Sequence, residues 1–227
     1  MTRLITSFAI AIFLAASSSV QAQVTANSFS TGGTATATAS GRGNVNLTAN
    51  AAASGGGTAH SRMNGSGLNG GYATGSSTAI TNGGYATSQG NSNAYGTGAR
   101  SNANSFAGSN YGYADSVSNA NALGNSYADS TSGAFTNGGV ALSRSDANAT
   151  GLYGGYGEAQ SSALSTNNGG FGVSRSTANG TGTWGGAGVA QSEAATIGNG
   201  YSGAEANAHG TWGGFSGSSA QHYVYPY

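Results

Sequence analysis

Small and large side chains alternate one for one through most of this chain, in runs of about ten residues that close on glycine-rich turns. The pattern is clearest from Val140 to Gly214, which divides into VALSRSDANATGLYGG, YGEAQSSALSTNNGG, FGVSRSTANGTGTWGG, AGVAQSEAATIGNG and YSGAEANAHGTWGG. The first, third and fifth pieces resemble one another, as do the second and fourth. The repeating unit is therefore a pair of runs, about thirty residues long, and a unit of that size announces an architecture.

Period-two alternation sends successive side chains to opposite faces of a strand. In the run from Val140 one face holds Ala141, Ser143, Ser145, Ala147 and Ala149, and in the run from Phe171 it holds Gly172, Ser174, Ser176, Ala178 and Gly180. The opposite face takes the bulk and the charge: Asp115, Leu142, Arg144, Asp146, Glu158, Arg175, Glu193 and Glu205. The uniformly small face is expected to be the core, with two such faces approaching closer than the usual ~10 Å between sheets. Regular runs occupy 72–227. Residues 23–71 are more ragged, although TATATAS alternates strictly and NVNLTANAA places Val45, Leu47, Ala49 and Ala51 on one face. Recurrent glycines, abundant Ser and Asn, and the absence of a 3.6-residue period exclude helix.

Superimposing the pairs of runs aligns like with like. Asn121, Asn148 and Asn179 fall in one column, with His209 expected next; Gln160 falls on Gln191. Tyr153, Trp184 and Trp212 align ahead of their Gly-Gly turns, and Arg144, Arg175 and Glu205 are expected to share a column with an ion pair between the last two. Amide ladders and stacked aromatics stabilise parallel, in-register strands. The expected fold is all-β: a two-sheet β-solenoid with an Ala/Ser/Gly core, one pair of runs per coil, about fourteen strands and about seven coils. Neither a polar cap nor a helix guards the C-terminal edge, so self-association along the axis is expected.

Composition changes this picture in two ways. Only 5% of the 227 residues are charged and there is a single proline, so the usual charge and proline signature of disorder is missing despite 42 glycines. A formal net charge of zero gives no electrostatic reason to expect nucleic acid as a partner. At the N-terminus, Arg3, the apolar run Ile5 to Ala16 and Val20-Gln21-Ala22 have the form of a secretory signal peptide over 1–22, too short an apolar run for a membrane span. Export is therefore expected, with no span in the mature chain, and the absence of cysteine means no disulfides.

No catalytic constellation emerges, and no catalytic, cofactor-binding or metal residues are expected. His60, His209 and His222 lie in different runs, without a carboxylate or serine in a helpful motif. The turns Gly154-Gly155-Tyr156-Gly157 and Gly169-Gly170-Phe171-Gly172 match the start of calcium-binding nonapeptide repeats, but Ala159 or Ser174 stands where the ligating Asp should be. The terminal Tyr223-Val224-Tyr225-Pro226-Tyr227 departs from the rest in composition and reads as a strand-closing cluster or docking tail.

Across the repeat region the chain resembles bacterial functional-amyloid subunits of the curli type, which are exported, cysteine-free and built from strand–turn–strand repeats. That resemblance implies a self-assembling fibre subunit of a biofilm or surface matrix, with an outer-membrane secretion or nucleation partner. Gly155-Tyr156-Gly157 followed by Gln160 and Leu164 resembles the repeats of ice-nucleation proteins, and Thr34, Thr36 and Thr38 offer a short Thr-x-Thr rank of the ice-binding kind. GNSYADS and GGVALS resemble head repeats of trimeric autotransporter adhesins. The leading expectation is a secreted, non-enzymatic fibre protein, with ice binding and adhesion as the alternatives.

Overall fold

The computed structural model describes residues 21–226, apart from 70, 153–155, 185 and 213. In chain order the strands are β1 (Gln21–Thr31), β2 (Thr34–Arg42), β3 (Asn44–Ser54), β4 (Thr58–Gly67), β5 (Tyr72–Asn82), β6 (Tyr85–Tyr95), β7 (Arg100–Asn110) and β8 (Tyr113–Leu123). They continue as β9 (Ser126–Asn137), β10 (Val140–Gly151), β11 (Tyr156–Asn168), β12 (Phe171–Gly182), β13 (Ala187–Ile197), β14 (Gly200–Gly210) and β15 (Phe215–Tyr225). Odd-numbered strands form an eight-stranded sheet and even-numbered strands a seven-stranded one, each in simple chain order. All pairings are parallel, as in β10 with β8 and β12. The protein is a parallel two-sheet β-solenoid of about seven turns, with roughly 28–30 residues per coil.

The early runs join the same two sheets without a break. What makes them ragged is coil length: Asn27 and Asn50 stack 23 residues apart, against 27 for Asn121 and Asn148 and 31 for Asn148 and Asn179. Their core is also coarser. Val45, Leu47 and Met63 are fully buried there, whereas the later coils bury chiefly alanine and serine, with Thr136, Asn167 and Thr196 near the corners. Fifteen described strands exceed the expected fourteen, the additional one being β1. Gln21 and Ala22 belong to β1, and Ala22 is buried, so cleavage after Ala22 would shorten that strand by two residues.

Ala141, Ser143, Ser145, Ala147, Ala149, Ser174, Ser176 and Ala178 are all buried between the sheets. Serine is tolerated there because its hydroxyl finds a partner in the facing sheet, which removes the cost of burying it. Ser145 Oγ donates to Ser130 O at 2.6 Å, Ser161 Oγ donates to Ser145 O at 2.7 Å, and the relay continues through Ser176 and Ser192 at 2.9 Å each. A second relay runs from Ser61 through Ser77, Ser88 and Ser105, passing back and forth between the sheets. Contacts this short across the core require the two sheets to sit a serine side chain apart.

One corner of each coil carries Asn-Gly-Gly or a close variant. Gly83, Gly138 and Gly169 adopt φ of 78°, 80° and 74°, where glycine alone is unstrained. The glycine after each is needed for another reason. A Cβ at Gly84, Gly112, Gly139 or Gly170 would fall inside the carbonyl oxygen of the corresponding glycine one coil earlier. Those oxygens are already engaged, since the amides of Tyr113, Val140 and Phe171 donate to Gly84, Gly112 and Gly139 at 2.9–3.0 Å.

Candidate functional site

On the outer face of the seven-stranded sheet, five asparagines form one continuous ladder. Asn121 Nδ2 donates to Asn93 Oδ1 at 3.0 Å, Asn148 to Asn121 at 2.9 Å, Asn179 to Asn148 at 2.7 Å, and Asn207 to Asn179 at 3.1 Å. Every donor points towards the preceding coil, so the ladder is polar along the axis. His209 is not its next member: Asn207 pairs with Asn179, and His209 with Thr181. The cause is a shorter corner. Thr166 is level with Ile197 and Gly172 with Gly200, so the exit from β13 uses three residues fewer than the exit from β11. Asn167, fully buried, occupies the space left and donates to Asn199 O at 3.0 Å and Ile197 O at 3.3 Å.

The same shift moves Glu205. Arg144 and Arg175 share a column, but Arg175 pairs with Gly203 while Glu205 pairs with Thr177. The expected Arg175–Glu205 ion pair is replaced by one within a strand: Arg144 Nε donates to Asp146 Oδ2 at 3.0 Å. Gln160 and Gln191 are in register. The Gln160 amide, however, donates to Glu158 at 2.8 Å and accepts from the Tyr127 hydroxyl at 3.1 Å. Trp184 and Trp212 stack with centroids 5.3 Å apart and planes 6° from parallel, at left-handed positions with φ of 55° and 53°. Tyr153 lies outside the described residues.

A second asparagine ladder was not anticipated from sequence. Asn110 donates to Asn82 at 3.1 Å, Asn137 to Asn110 at 3.2 Å, and Asn168 to Asn137 at 3.2 Å. Its signal is the asparagine that recurs ahead of the glycine turns, as Asn-Gly-Gly or Asn-Tyr-Gly. Tyr111 fills the left-handed position that glycine fills in neighbouring coils, with φ of 57°.

Two carboxylates on the outer faces have raised pKa values. Asp115 sits level with Thr87 and Leu142, and Asp129 with Asn102 and Gln160; in both, loss of solvent disfavours the charged form. The Tyr127 hydroxyl is also shifted up, by burial first and then by the charges of Asp129 and Glu158. His60 bonds Thr87, while His209 and His222 lie on β14 and β15. No group of three or more His, Asp or Glu side chains among the described residues could hold a metal. Nor is any described helix long and apolar enough to cross a membrane.

The axial ends are the surfaces that this geometry leaves unfinished. β15 and β14 close one end, and β1 and β2 open the other. β15 carries neither charge nor proline, and its side chains are exposed almost throughout. Edges are ordinarily blunted by charge, proline or a bulge, because a bare row of amides and carbonyls templates pairing.

These features define a parallel β-solenoid with polar amide columns and, among the described residues, an exposed terminal strand at β15. No family model, curated protein or solved structure matches the chain.

Proposed function

We propose that the protein is a secreted structural subunit whose coils stack end to end into extracellular fibres of a biofilm or cell-surface matrix. The observation that carries this reading is the C-terminal end of the solenoid, where β15 is a full-length, uncharged, exposed edge strand and the asparagine ladder of the other sheet ends beside it at Asn207 on β14. Burial of alanine contributes on the order of one methylene, ~0.8 kcal/mol. Ordering each residue costs ~1–2 kcal/mol. A solenoid with so small a core depends on its ladders, and ladders gain most when their terminal rungs are covered. The Ala/Ser face packs the sheets, the asparagine columns hold register and the glycine pairs make the corners.

The ice-binding alternative loses support from the outer face of β2. Thr36 is level with His60 and Thr38 with Arg62, so the threonine rank is interrupted one coil later. Electron microscopy of the exported chain, with fibre diffraction, tests the proposal; unbranched fibres with a meridional spacing of about 4.8 Å are expected. A chain that stays monomeric and unstructured by circular dichroism at high concentration overturns it.

A further inference from the structure

The described strands number fifteen, an odd count, with eight in one sheet and seven in the other. Among the described strands the eight-stranded sheet therefore overhangs at both ends, beginning with β1 and finishing with β15. Suppose a second copy were stacked without rotation, β1 on β15. Its β2 would then stand two rungs above β14, and one rung of the seven-stranded sheet would be empty. Two strand edges would face a gap with their amides and carbonyls unpaired, at a cost comparable to a lost hydrogen bond for each buried group.

A half-turn about the axis removes the gap. It carries β1 of the incoming copy onto β14 and β2 onto β15, and both sheets then continue without a missing rung. Successive strands of a coil run in opposite directions on the two faces, so the half-turn also restores parallel pairing. We propose that successive copies add with this half-turn, the β14–β15 edge of one copy receiving the β1–β2 edge of the next. This rests on the end-to-end reading above and specifies the contact it requires.

The side chains agree with that docking. Ala22 belongs to the column that ends at Ala190 and Ser218, the second inward position after the corner, since Gly188 and Ser216 hold the first. On β14 the first and second inward positions are Gly200 and Ser202. Matching second to second sets Val24 of the processed chain on Ala204 and hence Asn27 on Asn207. The asparagine ladder then crosses the junction with its polarity intact. Asn207 Nδ2 is directed back to Asn179, leaving Oδ1 as the acceptor for the open end. Asn27 Oδ1 accepts from Asn50 at 3.0 Å, leaving Nδ2 to donate outward. The same matching sets Ala35 on Ser216, Thr38 on Ser219 and Arg42 on Tyr223. The last pair brings a guanidinium to a tyrosine ring, a favourable cation–π contact.

Disulfide trapping tests the junction cleanly because the chain has no cysteine of its own. Chains expressed with their native leader and recovered after processing would each carry one substitution: N27C, R42C, N207C or Y223C. All four positions lie on outer faces of terminal strands, and circular dichroism of each variant checks that the fold is retained. Directly paired strands bring Cα atoms into disulfide range. After mixing under oxidising conditions, N27C with N207C and R42C with Y223C are expected to give crosslinked dimers. Dimers from N27C with Y223C instead would establish the unrotated stack and overturn the half-turn, leaving end-to-end assembly standing. Dimers of one variant with itself would show head-to-head or tail-to-tail contact and overturn both. No crosslink in any mixture would mean that the ends do not meet, which also sinks both. In fibres, the half-turn gives a subunit rise of about 36 Å, seven and a half rungs of ~4.8 Å, with rotation near 180°.

Discussion

Asn179 Nδ2 donates to Asn148 Oδ1 at 2.7 Å, between residues 31 positions apart in the chain and directly adjacent across one rung of the sheet. Each of the two side chains also bonds a further neighbour, Asn148 to Asn121 and Asn179 to Asn207. The ladder is thus a continuous column rather than a set of pairs, and its middle members each hold two amide contacts.

Removing a middle member should cost more than removing an end member. Asn148→Ala deletes two half-buried hydrogen bonds, and at about 0.5–1.5 kcal/mol each a loss of about 1–3 kcal/mol is expected. Asn207→Ala deletes one bond within the ladder and one to Glu205, both exposed, and should cost less. Chemical denaturation of the two variants, compared with wild type, checks the order.

Core width makes a second expectation. Ala147 is fully buried in the seven-stranded sheet, facing alanines and serines of the other. Ala147→Leu should be destabilised by at least the ~1–3 kcal/mol typical of overpacking, because two whole sheets would have to part. Leu142→Ala, on the outer face of the same strand, should be tolerated. Loss of the β-sheet circular dichroism signal in the first variant alone is the expected result.

Adjacent glycines at one corner should respond differently. A Cβ at Gly170 would overlap the Gly139 carbonyl oxygen, whereas one at Gly169 would meet nothing within 4 Å. Gly169 has φ of 74°, a left-handed conformation that asparagine accepts. Gly169→Asn should therefore fold with a small loss of melting temperature from backbone strain, and Gly170→Ala should lose more or fail to fold.

Stability should rise on mild acidification. Burial raises the carboxyl pKa of Asp115 and Asp129 above that of the unfolded chain, so the folded state binds the proton more tightly. The stability contributed by protonation is fully present below the ordinary carboxylate value and is lost as pH rises through the folded one. Thermal melts from neutral pH down to the carboxylate range should show an increase, and Asp115→Asn with Asp129→Asn should flatten it.

The fold and part of the candidate site were legible in the amino-acid pattern for a simple reason. A strand has a side-chain period of two, so the small residues of Val140–Thr150 declare their face before any partner is known. Parallel stacking of near-identical runs then makes Asn121, Asn148 and Asn179 neighbours by repetition alone. The register failed where the repeat length changed. His209 and Glu205 were placed on a uniform coil, but the exit from β13 is three residues shorter than that from β11. The Asn82–Asn110–Asn137–Asn168 ladder lies at the corners, outside the alternating runs whose columns the repeat aligns, and asparagine before glycine is also a common turn residue, so only the structure shows it as a ladder.

Sequence by itself determined which face of each strand is buried, where the chain turns and that the coils stack in parallel, because these follow from local periodicity, from glycine's conformational range and from the repetition of near-identical runs. Tertiary structure decided the coil lengths, the partners of the buried serine hydroxyls, the replacement of an Arg175–Glu205 pair by Arg144–Asp146, and the odd count of described strands. Those depend on how many residues each corner can absorb while the hydrogen bonds of two sheets remain level, a constraint that no single run contains.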